Sequence, residues 1–134
     1  MVNKPKYQKF KKESAFKQIR IAENDLYAAE VLFTAPKCRP ELILYQVQQA
    51  IEKSLKAVLV FEEKAVPLTH SLELLISELA EADQKIFPES ISELTLFATV
   101  KRYTEGDEII EKKDIEAAIQ LGKIVYNWAA GKLR

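Results

Sequence analysis

The sequence predicts an all-α fold: an antiparallel four-helix, up-and-down bundle with one additional short helix. Three observations carry that expectation. Glycine and proline number only three and five in 134 residues, and long stretches contain neither, which favours helices over a sheet built on many turns. Apolar residues recur in steps of three and four rather than two. The stretches between the periodic segments are short, as between antiparallel neighbours in a bundle. The length suits one domain. Hydrophobic residues at 48% and charged residues at 30% are the balance of a globular chain rather than a disordered one.

Two regions are expected, a basic N-terminal arm over residues 1–13 and a helical bundle over 14–134. The arm holds Lys4, Lys6, Lys9, Lys11 and Lys12 against Glu13 alone. That is five minus one, or +4, so the remaining residues of this neutral chain sum to −4. A run of this kind can touch RNA or an acidic partner, or simply be solvated.

The first helix is read from about Ser14 to Thr34. Ala15, Ile19, Ala22, Leu26, Ala29 and Phe33 alternate steps of four and three along one seam. Pro36 and Pro40 bracket the break, and Pro40 fits the first turn of the next helix, where its missing N–H costs nothing. The second helix spans about Glu41 to Glu63. Val47, Ala50, Ile51, Ser54, Leu55, Val58 and Phe61 share one face, with Gln49, Glu52, Lys53 and Lys56 expected on the opposite one.

Pro67 interrupts, and Thr69 or His70 is expected to cap a third helix running to about Ala82 through Leu72, Leu75, Ile76 and Leu79. Pro88, Glu89 and Ser90 open a fourth, through Ile91, Leu94, Phe97 and Ala98 toward Lys101. The polar stretch TEGD follows at 104–107. The last helix starts near Asp114, a suitable N-cap or first-turn acid. It turns Ile115, Ala118, Ile119, Gly122, Val125 and Ala129 inward, and Gly131 is a plausible stop. Gly122 inside a helix costs about 1 kcal/mol against Ala, which close packing against a neighbouring helix would offset.

Several chemistries are excluded outright. One histidine and one cysteine leave no intrachain disulfide, no familiar zinc set and no pair of Glu-x-x-His motifs for a di-iron bundle. Three scattered glycines form neither GxxxxGK[ST] nor GxGxxG. His70 lies in no recognisable nucleophile turn. It reads as a capping or packing residue, or as a general base with no evident nucleophile beside it. No apolar run approaches membrane-spanning length, the N-terminus lacks a secretory signal's apolar middle, and a reducing, cytoplasmic setting is expected.

Four stretches, in order, carry a resemblance: AENDLYAAEVL at 22–32, QQAIEKSLKAVLV at 48–60, PLTHSLELL at 67–75, and Lys101-Arg102-Tyr103. Together they resemble the HEPN domain over about residues 14–131. The resemblance implies a four- or five-helix bundle that usually forms a homodimer, with a cleft at the dimer junction. It is similar to the C-terminal domain of kanamycin nucleotidyltransferase, and nucleotide binding was proposed for the family on that ground. Many members act with a separate minimal nucleotidyltransferase, as toxin–antitoxin or related pairs. Active members are metal-independent ribonucleases whose motif is Arg, a polar residue, two to four further residues, then His.

This chain departs from that motif. After Arg102 comes YTEGDEII, with no histidine following. Asp107 stands where the histidine of an active member would fall, and a carboxylate does not present a cationic donor at neutral pH. The resemblance therefore implies a non-catalytic HEPN domain that needs no cofactor and binds a nucleotide or an RNA end. In that reading Glu52 orients the Arg102 guanidinium, Lys53 or Lys56 meets phosphate, and Tyr103 stacks on a base. Asp25 pairs structurally or lines the same cleft. The alternatives are a ribonuclease in which Arg102 works with Asp107 or His70, and a purely structural interaction bundle. On that last reading Glu52 and Lys56 are an ordinary i,i+4 surface pair.

Overall fold

A computed structural model describes residues 5–99 and 110–134 of the chain. The fold is all-α, as expected, with one two-stranded addition. β1 (Tyr7–Gln8) is followed by α1 (Ser14–Phe33), α2 (Pro40–Phe61), β2 (Val66–Pro67), α3 (Leu72–Ser77) and α4 (Glu81–Gln84). A 3-10 helix (Glu89–Leu94), α5 (Thr95–Thr99) and α6 (Lys112–Lys132) complete the order.

Helix α2 is the hub. It packs against α1, α3, α5, α6 and the 3-10 helix, and Pro40 occupies its first turn. Val47, Ala50, Ile51, Leu55, Ala57, Val58 and Leu59 are wholly buried. The seam read along α1 faces it: Ala15, Ala22, Leu26 and Ala29 are buried, with Ile19 and Phe33 packed at the margin. α6 lies antiparallel to α1. Tyr126 donates to Glu23 at 2.6 Å and Lys123 pairs with Glu30 at 3.6 Å, so one helix rises as the other falls. Where α1, α2 and α6 meet stands Gly122. A Cβ there would lie 3.1 Å from Leu26 Cδ1 and 3.4 Å from Val47 Cγ1. That close approach explains the glycine.

The short elements differ from the sequence reading, for local reasons. The third helix stops at Ser77 and a separate turn, α4, follows. Side chains satisfy the freed carbonyls at the break: Gln84 Nε2 donates to Ser77 O and Leu79 O, and Lys64 Nζ to Glu78 O. The kink turns Leu79 into the core. Neither Thr69 nor His70 caps α3. Ser71 does, its Oγ accepting from Leu74 N at 3.2 Å, while Thr69 Oγ1 accepts from Ser71 N at 3.0 Å. The fourth helix begins as a 3-10 segment after Pro88.

α6 starts at Lys112, with Glu111 and Asp114 forming a reciprocal capping box. It runs past Gly131 to Lys132, whose ammonium reaches Asp83 at 2.9 Å. The N-terminal arm is pinned. β1 pairs antiparallel with β2 in the register Tyr7↔Pro67 and Gln8↔Val66.

Candidate functional site

Gln49, Glu52, Lys53 and Lys56 were expected on the face of the second helix opposite its apolar one, as part of a cleft or, on the alternative reading, as a solvated surface. The structure buries Glu52, so it is no surface pair with Lys56. Helix α2 is covered on nearly every side, so Glu52 is only 1% exposed and Gln48 is wholly buried. A buried carboxylate is costly unless paired and hydrogen-bonded, and here it is both. Oε1 accepts from His70 Nδ1 at 2.9 Å and from Gln48 Nε2 at 3.2 Å. Oε2 faces Lys56 Nζ at 3.0 Å and Lys53 Nζ at 3.5 Å.

The surroundings fix these groups in turn. Gln48 Nε2 also donates to His70 O at 3.0 Å, holding the loop that carries the ring. Gln49 Nε2 donates to Gln48 Oε1 at 2.6 Å, and Lys53 Nζ donates to Gln49 Oε1 at 2.8 Å. Two helical turns of α2 and the loop before α3 thus form one network. It opens to solvent at the His70 ring, whose side chain is 58% exposed against 22% for Lys53 and 17% for Lys56.

Electrostatics follow from this packing. Burial alone would raise the Glu52 carboxyl, but Lys56, the His70 hydrogen bond and Lys53 outweigh it and hold it below the ordinary glutamate value. Asp25, reaching in from α1, goes the other way. Its half-burial raises it, Lys53 opposes that and Glu52 adds to it. An ionised Glu52 fixes the proton of a neutral His70 on Nδ1, leaving Nε2 as the unshared nitrogen. Lys53 and Lys56 against Glu52 leave a local charge of +1, before Asp25 and any proton on His70 are counted. Among the described residues, no group of three or more His, Cys, Asp and Glu is placed to hold a metal ion.

The family model for the HEPN domain matches residues 17–133. The chain belongs to the HEPN domain family. A crystal structure of an archaeal HEPN homologue superposes with a TM-score of 0.70 at 24% identity, covering 90% of this chain and 98% of that one. That likeness concerns the fold. No curated protein sequence matches significantly.

In this HEPN domain the sequence motifs meet in space. QQAIEK supplies Gln48, Gln49, Glu52 and Lys53, and PLTHS supplies His70. The reading from sequence missed Gln48 and the bond between Glu52 and His70. Eighteen residues separate those two, no helical period links them, and only their presence in two motifs of one family hinted at contact. Lys101, Arg102, Tyr103 and Asp107 lie outside the described residues. No helix among the described residues is long and apolar enough to cross a membrane.

Proposed function

We propose that this HEPN domain binds the phosphate of a nucleotide or RNA end at the α2 cluster, without turning it over, and acts in the cytoplasm with a separate nucleotidyltransferase. One observation carries the reading: buried Glu52 draws Lys53, Lys56 and the exposed His70 ring onto one spot. Cations gathered in this way need little reordering to receive an anion. Arg102 and Tyr103 complete the site in this proposal, as phosphate and base contacts. The nucleotidyltransferase partner and a toxin–antitoxin pairing are supported by family membership. A homodimer is supported by that and by exposed Tyr27 and Val31 on α1 and Ile124 on α6.

Calorimetric titration with a mononucleotide should give saturable binding that the Lys53→Met, Lys56→Met double variant loses roughly tenfold or more. Equal affinity in both proteins would sink the assignment. A ribonuclease is the second reading, favoured by the Glu52–His70 bond alone, because a carboxylate-oriented imidazole is a competent proton acceptor. RNA cleavage in chelator that His70→Ala abolishes would replace binding by catalysis.

A further inference from the structure

The arm and the phosphate cluster are neighbours. β1 is pinned to β2 by its two-residue ladder, and Leu68 N donates to Lys6 O at 2.8 Å. Leu68 stands only two residues before His70, so the Lys6 backbone lies within about 10 Å of that of His70. Because the ladder is antiparallel, Lys6 is, among the described residues, the arm lysine nearest His70, and Lys9, Lys11 and Lys12 lead away from it.

The anchoring is specific. Tyr7 donates its hydroxyl to Glu78 at 2.8 Å, Phe10 packs on the core, and Lys12 Nζ sits 4.6 Å from the Phe61 ring centre. What the anchoring leaves outward is basic and aromatic. Lys6, Lys9, Lys11 and Lys12 are exposed, Tyr7 is 48% exposed, and Lys6, Lys9 and Lys11 have no ion pair among the described residues. Of the acids near the arm, Glu78 is engaged by Tyr7 and Glu62 by Lys64 at 3.8 Å, while Glu13 follows Lys12 in the chain. A free, solvated tail would need none of this. Lysines spaced before and after β1, with a ring between them, are the parts of a single-strand track.

We propose that the N-terminal arm is a track for single-stranded RNA. Its end occupies the Lys53–Lys56–His70 cluster, and its backbone runs along Lys6, Lys9 and Lys11, past the Tyr7 ring. This rests on the phosphate-binding reading and narrows its ligand from a mononucleotide to a polynucleotide. Mononucleotides fill only the inner position, so affinity rises with chain length. The arm contributes through charge and stacking, so its share falls with salt.

The test compares uridine monophosphate with a 5′-phosphorylated octauridylate by fluorescence anisotropy, in the wild type and in the combined Lys6→Ser, Lys9→Ser, Lys11→Ser variant. These side chains are exposed and the ladder is backbone-only, so unchanged thermal unfolding is expected. The variant should bind the octamer about tenfold more weakly, and three lost phosphate contacts at 0.7 each should flatten its log–log salt slope by about 2. Its monophosphate affinity should equal the wild type's. Equal octamer affinity and slope in the two proteins would overturn the track. So would octamer binding that is absent, or no tighter than the monophosphate's. Equally good competition by oligoglutamate would assign the arm to an acidic protein instead. Arm-dependent octamer binding with no monophosphate binding in either protein would support the track and sink the inner phosphate site.

Discussion

Glu52 joins stability to the proposed function. It is 1% exposed and carries a charge, which is tolerable only because Gln48, Lys53, Lys56 and His70 all meet it. Glu52→Gln keeps the shape and removes the charge. Lys53 and Lys56, each largely buried, then lose their counter-ion, and a loss of about 2 kcal/mol is expected at neutral pH. The pH dependence has a definite sign. The folded carboxyl lies below the ordinary glutamate value, so its stabilisation is complete above the unfolded value of about 4.3 and fades as pH falls through the lower folded one. Urea unfolding at pH 7 and pH 3 should therefore show a gap between wild type and variant that narrows in acid. A gap that widened instead would mean burial, not pairing, dominates at Glu52.

Among the elements, α1, α2 and α6 were legible because each is long enough for several repeats of its apolar period, and burial of that face decides the structure. Gly122 was legible too, since a glycine inside a periodic helix needs a close neighbour to justify it. With Leu26 Cδ1 and Val47 Cγ1 already within 3.4 Å of a Cβ position, Gly122→Val should overpack the three-helix junction. A loss of about 2 kcal/mol in chemical unfolding is expected. An unchanged midpoint would show that α6 can slide. The segment from Pro67 to Leu94 was less legible. Its helices span four to six residues, so side-chain bonds such as those of Gln84 and Thr69, not periodicity, place their ends. Helix α2 misled in another way. A polar residue on the far face of an amphipathic helix can be solvated or part of a site, and only the contact with His70 in the loop before α3, together with its burial, decides it for Glu52.

On the scale of the whole molecule, a neutral total hides a division of charge, with an arm at +4 and the remainder at −4. The short sheet carries the basic arm to the loop before α3, beside the cations gathered on α2. The gathering of Lys53, Lys56 and His70 there supports the central proposal, that the Glu52-centred cluster receives a phosphate. Because His70 is the chain's single histidine, its ring carbon-bound proton can be followed by NMR without ambiguity. A nucleotide titration should shift the His70 ring signal saturably in the wild type, with a midpoint roughly tenfold or more higher in the Lys53→Met, Lys56→Met variant. A His70 signal unmoved by nucleotide in the wild-type protein would contradict the account.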